Sequence, residues 1–448
     1  MSQVKVRFAP SPTGKIHVGN VRAALLNWLF AQKEGGILML RSDDTDQARS
    51  TKEYEDGIQH DLGWLGITHQ AFARQSERFG EYDAAANWLK EQGLLYACYE
   101  TADELDRKRK LQRARSLPPV YDRAALELSE AEKKSYEAEG RRPHWRLKLS
   151  QQPVEWQDLI RGDVKVDTSA VSDPVLIRED GQYLYTLPSC VDDVDFGITH
   201  VIRGEDHVTN TATQIELFAH LIRFKGAGTM PAFAHHSLLV GADGEGLSKR
   251  FGSLSIEGLR EAGIEPQAIS SLLARLGTAD PVQPKADINE LVEGFSFEKM
   301  GRAPARFDPK ELEQLNAKIL HDLPFTALAD RLAALDVDEP LWLAVRGNIE
   351  KLSDVSTWRD MIREQIDPVI EDKAFTDEAA TLVPDALDET SWKELVNTLK
   401  EKTGRKGKQL FMPLRLALTG LPHGPDMPVI FQLIGPEKAR ARLRGERA

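Results

Sequence analysis

The sequence predicts an α/β first half, built on a parallel sheet with an α+β insertion, followed by an all-α second half. Three observations predict it. Residues 4–42 read as strand, helix, strand. From about Gly80 to Asp180 that rhythm is broken by charge-rich helical segments and short strand-like pieces. After about residue 255, and more uniformly after 310, helical patterns follow one another with turn signals and no strand alternation.

Val4, Val6 and Phe8 alternate as in a short strand, and Asn20 can cap a helix carrying Val21, Ala24, Leu25, Trp28 and Leu29 at helical spacing. Gly35 and Gly36 stop that helix, and ILMLRS at 37–42 reads as a buried strand. The stretch RFAPSPTGKIHVGN, residues 7–20, therefore lies between a strand's carboxyl end and a helix's amino end. Parallel α/β sheets bind ligands at that edge, and helix amino termini favour phosphates. The helical segments YDAAANWLKEQG, TADELDRKRKLQRARS and LSEAEKKSYEAEG, then HWRLKLS and VKVDTS, form the insertion. Strand-like sequence resumes in QYLYTLPSCVDDVDFGITHVIRG, 182–204, and FAHHSLLVGADGEGLSKRFG, 233–252, runs from a strand into a glycine-rich loop.

Over 448 residues, 41% hydrophobic and 29% charged, such a chain divides into several soluble domains. The expected boundaries are 1–79 with 187–240 for the parallel sheet, 80–186 for the insertion, 241–310 for a region that carries the LSKR loop and 311–448 for the helical half. The opening residues lack a secretory pattern and no stretch has the apolar length a bilayer requires, so the expectation is a cytoplasmic protein with no membrane partner. Cys98 and Cys190 stand far apart with no CxxC or Cys/His cluster, which argues against a disulfide framework or structural zinc and for two core or site-wall thiols. A net charge of −12 disfavours indiscriminate binding of polyanions. Two local runs oppose that average: KEKTGRKGK at 400–408 carries five bases against one acid, and DRKRKLQRAR at 106–115 six against one. Together they read as a selective nucleic-acid footprint.

Alone, HVGN at 17–20 is a helix start, and LSKR at 247–250 a basic turn suited to gripping a triphosphate. RFAPSPTG…HVGN, RSDDTD at 41–46, VIRGEDH at 201–207 and LSKR, in that order before a helical half, resemble the glutamyl-tRNA synthetase family over essentially the whole chain. HVGN is similar to the HIGH-type signature and LSKR to the end of the KMSKS-type signature of class I synthetases, while RFAPSPTG narrows the resemblance to the glutamate and glutamine branch.

The resemblance implies a Rossmann-like catalytic domain, an insertion that grips the acceptor end of tRNA, and a helical half that reads the anticodon. It implies catalytic roles for His17 and Lys249, and an ATP site formed by Ala9, His17, Gly19, Asn20, Asp206, Leu238, Leu239, Ser248, Lys249 and Arg250. Arg7, Ser11, Asp43, Tyr185, Ser189 and Arg203 are the implied glutamate contacts. The implied tRNA contacts are Lys400, Lys402, Arg405, Lys406, Lys408 and Arg415, with Arg107 to Arg115 as candidates at the acceptor end. The chemistry suits these residue types. Joining a carboxylate to the α-phosphate of ATP is mostly positioning and charge stabilisation, needing phosphate donors and no covalent nucleophile. A substrate with a carboxylate side chain calls for guanidinium, whose planar donors can hold both oxygens.

ATP is expected as a substrate with Mg2+, and L-glutamate and tRNA-Glu as the other substrates of a monomeric enzyme. Family behaviour implies activation that depends on bound tRNA and initial transfer to the 2′-hydroxyl. Several positions depart from the family pattern: Gly246 stands where a lysine is common, Asp43 where Glu is usual, Ser189 where an Asn can sit, and Asn20 in place of a second His. Two alternatives stay open: an enzyme that also charges tRNA-Gln, and a catalytically silent tRNA-binding paralogue, which Gly246 and Asp43 motivate. Some relatives carry a Cys/His zinc knob; CYE at 98–100 offers one sulfur, so no zinc is expected, and Asp43, Asp44 and Asp46 read as a substrate contact with local turn bonding rather than a metal cage.

Overall fold

Parallel pairing between the first strands sets the layout in this computed structural model, which describes residues 3–247 and 254–448. Strand β1 (Lys5–Phe8) is followed by helix α1 (Val18–Lys33), strand β2 (Ile37–Ser42), helix α2 (Lys52–Trp64) and strand β3 (Ala71–Arg74). β1 runs parallel to β2 with Arg7 level with Met39, and β2 parallel to β3. Gly36 permits the close return into β2, because a Cβ there would stand 2.5 Å from Val4 O.

The helix α1 starts earlier than Asn20 suggests. His17 is its N-cap: Nδ1 accepts the Gly19 N–H at 3.1 Å, and Asn20 Oδ1 accepts the His17 N–H at 3.3 Å. Asn20 thus closes a reciprocal capping box from inside the first turn instead of opening the helix itself. Val18, Val21, Ala24, Leu25, Trp28 and Leu29 are all buried, so the helix is held by packing against the sheet.

The insertion contributes helix α3 (Phe79–Glu91), β4 (Leu95–Cys98), α4 (Ala102–Ala114), α5 (Glu130–Ala138), β5 (His144–Leu147), β6 (Pro153–Asp158), β7 (Gly162–Asp167) and β8 (Val175–Ile177). β4, β5 and β8 form an antiparallel sheet of their own. After it come α6 (Thr186–Asp195), β9 (His200–Gly204), α7 (Val208–Lys225) and β10 (Ala232–His236). β10 is parallel to β9, and Thr199 at the edge of β9 donates its N–H to Lys5 O at 2.8 Å, which sets β9 beside β1. The β6–β7 hairpin does not stay with the insertion's sheet: β6 lies parallel to β10, with Asp158 level with Phe233.

A buried ionic network ties the strand ends together. Arg41 of β2, 1% exposed, donates from Nε to Asp43 (2.6 Å), from Nη1 to Asp193 (2.8 Å) and from Nη2 to Ser189 Oγ (3.1 Å). Arg7 Nε lies 3.1 Å from both oxygens of the same Asp193. Neighbouring Asp192 accepts from Arg78, Gln75 and the Tyr82 hydroxyl.

The chain divides into two compact units, Met1–Ala262 with Ile269–Asp308 and Gly263–Ala268 with Pro309–Ala448. The second is helical throughout its described residues, from Pro309–Asp322 to Pro436–Leu443, and its core includes Trp342, Leu414 and Phe431. Buried Arg442 fastens its end, donating to the carbonyls of Met361, Leu418 and Glu364. In the first unit a three-residue strand, Ala305–Phe307, pairs with Leu239–Gly241; it is too short to leave an alternation in sequence.

Removing one partner from a buried ionic network strands the others without water. Arg41→Met should lower unfolding stability by about 3–5 kcal/mol, whereas Arg49→Met, at the exposed Asp46 pair, should cost less than about 1 kcal/mol. Urea unfolding with unchanged m-values measures both.

Candidate active site

A cavity of about 460 Å³ opens where the carboxyl ends of β1 and β9 meet the amino end of α1. Arg7, Ala9, His17, Gly19, Asn20, Tyr185, Arg203, Asp206, Leu238 and Leu239 all line it, together with Arg22, His207, His236, Gly246 and Leu247. Residues separated by more than two hundred positions thus share one wall. Ser248, Lys249 and Arg250, also expected here, lie outside the described residues; Gly246 and Leu247, which precede them, are at the cavity surface.

The first turn of α1 presents its amino terminus to the cavity, which favours anionic groups. Burial lowers the His17 pKa, so its ring is neutral at pH 7, and with Nδ1 accepting from Gly19 its proton sits on Nε2 as a donor. Glycine at 19 leaves room for the imidazole: a Cβ would stand 3.0 Å from His17 Cε1 and 3.1 Å from Nδ1, so the ring would have to shift.

Two guanidinium groups line the same cavity. Arg203, 7% exposed, donates from Nη1 to the Tyr185 hydroxyl at 3.1 Å and from Nη2 to Thr211 Oγ1 at 2.6 Å. Burial depresses its pKa and Arg7 adds to the depression while Tyr185 opposes it, yet an arginine in protein remains charged. Arg7 uses Nε on Asp193 and also lines the cavity. Gly204 belongs to the same wall: a Cβ there would meet Asp206 Oδ1 at 2.5 Å.

The remaining implied glutamate contacts are placed differently. Ser11 and Asp43 line a neighbouring recess of about 310 Å³ that shares Tyr185 with the cavity. Burial pushes the Asp43 carboxyl up to about 6, against the pull of Arg41. Ser189 is buried and accepts from Arg41. Asp46 accepts from Arg49 three residues on, the expected local bonding, whereas Asp44 departs from it by accepting the N–H and hydroxyl of Ser76, 32 positions away beyond β3.

In the insertion, α4 has no buried residue, and its Lys108 and Lys110 pair with Glu100, Asp122 and Asp106. In the second unit Lys400, Lys406 and Lys408 are exposed. Lys402 Nζ is 3.6 Å from Glu378, Arg405 holds Asp372 at 2.6 Å while lying 4.3 Å above the Phe375 ring, and Arg415 donates to Pro425 O at 3.0 Å. Arg405 and Lys408 border a groove of about 810 Å³ with Gln409 and Met412. Phe411, missed in the sequence because it falls within a helical period, is 45% exposed on the adjoining turn.

The donor atoms of Cys98, Glu100 and His144 lie within 4.8 Å of one another. The Tyr121 hydroxyl already joins Glu100 (2.8 Å) to Cys98 (3.7 Å), and the Arg146 guanidinium lies 4.2 Å from the Tyr121 ring. Burial pushes the Cys98 thiol up to about 12, and burial with Arg146 drives His144 down to about 4. The Tyr121 hydroxyl and the Arg146 guanidinium thus take up space and charge beside these three donor atoms.

The profile described as "tRNA synthetases class I (E and Q), catalytic domain" matches residues 3–314, and an anticodon binding domain matches 343–446. The chain belongs to the class I tRNA synthetases of this branch. The synthetase is 57% identical over 448 residues to glutamate–tRNA ligase 1 of Maricaulis maris, covering 99% of this chain and 100% of that one. It is 54% identical to glutamate–tRNA ligase 2 of Methylorubrum populi, with 99% of each chain covered. The crystal structure of glutamate-tRNA synthetase from Elizabethkingia anophelis superposes with a TM-score of 0.85 at 28% identity, covering 99% of both chains. The parallel first half is therefore the Rossmann-like sheet of the class, and the second half its helical region.

Gly19→Ala should push the His17 ring aside in this synthetase and lower kcat/KM for ATP about tenfold, equivalent to about 1.4 kcal/mol of transition-state stabilisation, with the thermal midpoint unchanged. Steady-state kinetics at saturating glutamate and tRNA checks it.

Proposed function

We propose that this synthetase is a glutamate–tRNA ligase that attaches L-glutamate to the 3′ end of tRNA-Glu in two steps. The glutamate α-carboxylate attacks the α-phosphorus of ATP and pyrophosphate leaves; the terminal ribose 2′-hydroxyl then attacks the glutamyl carbonyl, losing its proton as AMP departs. The observation that carries this reading is that one cavity is lined both by two guanidiniums, Arg7 and Arg203, and by the His17-capped amino terminus of α1. The guanidiniums suit a glutamate side chain and the helix terminus suits phosphates.

Arg203, already held by Tyr185 and Thr211, presents a pre-aimed charge to the substrate carboxylate. Arg7 already has Asp193, but the partners of Arg203 are neutral, so a glutamine side chain would bring it no opposing charge. ATP enters with Mg2+, and His17 Nε2–H is a donor for its phosphate oxygens. Ser248, Lys249 and Arg250 complete the phosphate side, by their family role. No zinc takes part: Tyr121 and Arg146 occupy the surroundings of Cys98.

The 80–186 insertion takes the acceptor end and the second unit takes the anticodon. Lys400, Lys406 and Lys408 supply salt-sensitive phosphate contacts, and exposed Phe411 a face on which a splayed base can stack. The enzyme acts as a monomer on cytoplasmic tRNA.

Replacing the fork of Arg203 by a point charge in Arg203→Lys should raise the glutamate KM by about 10- to 100-fold, the worth of a charge-assisted hydrogen bond of about 1.5–3 kcal/mol, with the ATP KM little changed. An unaltered glutamate KM would contradict the assignment. Charging of purified tRNA-Glu and tRNA-Gln side by side should show product on tRNA-Glu alone; equal charging would make the enzyme non-discriminating.

A further inference from the structure

The β6–β7 hairpin reaches beneath the cavity and ends there on a buried carboxylate. Asp158, the last residue of β6, is 2% exposed, and both of its oxygens are engaged. Oδ1 accepts the N–H groups of Ile160 (3.0 Å), Arg161 (3.0 Å) and His235 (3.2 Å). Oδ2 faces His235 Nδ1 at 2.5 Å. On the other side of that fully buried ring, Nε2 is 2.9 Å from Thr211 Oγ1 and 3.3 Å from Arg203 Nε.

These contacts fix the proton. Burial would raise the Asp158 carboxyl, but the His235 hydrogen bond and the backbone N–H groups hold it below its usual range, so it is an anion. Burial lowers the His235 pKa against the opposing pull of Asp158, and Arg203 lowers it further, so the ring is neutral. A neutral imidazole beside a carboxylate carries its proton on Nδ1 and a lone pair on Nε2. Arg203 Nε–H, always a donor, meets that lone pair. Each of the three guanidinium nitrogens of Arg203 then has its own partner: Nη1 has Tyr185, Nη2 has Thr211 and Nε has His235.

We infer that Asp158 and His235 are positioning residues for substrate glutamate: the carboxylate selects the imidazole tautomer, and the imidazole lone pair sets the plane of the Arg203 guanidinium that receives the substrate's side-chain carboxylate. The inference rests on the reading of Arg203 given above. It gives the inserted hairpin a part in amino-acid recognition as well as in the sheet, since the carboxylate that sets the His235 tautomer lies on that hairpin, 77 positions before His235. A second contact follows the same path, from Arg161 to Glu205 at 2.6 Å and from Glu205 to the N–H of cavity residue Leu238 at 3.3 Å.

Asp158→Asn separates orientation from scaffolding. The amide oxygen keeps the three backbone N–H groups, while its NH2 faces His235 Nδ1 and requires that nitrogen to be unprotonated. The ring proton moves to Nε2, where Thr211 Oγ1 at 2.9 Å can accept it and Arg203 Nε–H loses the lone pair that it met. The expected result is a glutamate KM raised about tenfold, with kcat, the ATP KM and the thermal midpoint little changed. Nitrogen-15 spectra of histidine-labelled enzyme should show the His235 proton transferred from Nδ1 to Nε2. His235→Gln, which can return an oxygen acceptor near the Nε2 position, should hold the glutamate KM closer to wild type than His235→Ala does.

An unchanged glutamate KM in Asp158→Asn overturns the inference, as does a parallel loss in both substrates' KM, kcat and midpoint. Should that variant fail to fold, equal glutamate KM values for His235→Gln and His235→Ala overturn it instead. Arg203→Lys, measured alongside, distinguishes the two levels. If it leaves the glutamate KM unchanged, the anchor reading falls and this inference with it. If it raises that KM while Asp158→Asn does not, only the positioning role fails.

Discussion

Two buried guanidinium groups share one aspartate beneath the cavity, and the placement of the site depends on that sharing. Arg7 from β1 and Arg41 from β2 both reach Asp193 of α6, and Arg41 also takes Asp43. Desolvating so many charges is costly unless each is paired, so the network holds only when the strand ends and α6 sit in one arrangement. That arrangement aims Arg7 at the cavity and fixes the start of α6, where Tyr185 stands as N-cap between the cavity and the recess.

From this base the cavity acquires its lining. Thr199 beside Lys5 sets β9 next to β1, and Arg7 and Arg203 line the same cavity despite their distance in sequence. The first turn of α1, capped by His17, lines it too, with Gly19 leaving room for the His17 ring. A dipolar helix terminus and two guanidiniums in one cavity are the kind of fixed charge that electrostatic preorganisation requires.

Much of this was legible in the sequence, for physical reasons. Residues 4–42 declared their strand, helix and strand because alternation and helical period are local signals, and the α/β half precedes the helical half as read. Asn20 misled about the start of α1 because a capping box uses two polar residues and the outer one here is a histidine. The return of the β6–β7 hairpin to the parallel sheet left no local trace, since pairing of Asp158 with Phe233 is set by tertiary contact. The same holds at the site. Motif residues meet in the cavity, whereas Ser11 and Asp43 line the neighbouring recess and Ser189 lies under Arg41. His235 gives no signal in sequence beyond its place in a strand-like stretch, because its contacts with Asp158 and Arg203 are both remote along the chain.

The central claim is that one cavity holds the activated amino acid with its side chain on the guanidiniums and its phosphate at α1. A crystal structure with a non-hydrolysable glutamyl-adenylate analogue tests it most directly. The account predicts the analogue's side-chain carboxylate within hydrogen-bonding distance of Arg203 and Arg7, and its phosphate beside His17 and the first turn of α1. An analogue seated in the Asp43 recess, or with that carboxylate turned away from both guanidiniums, would contradict it.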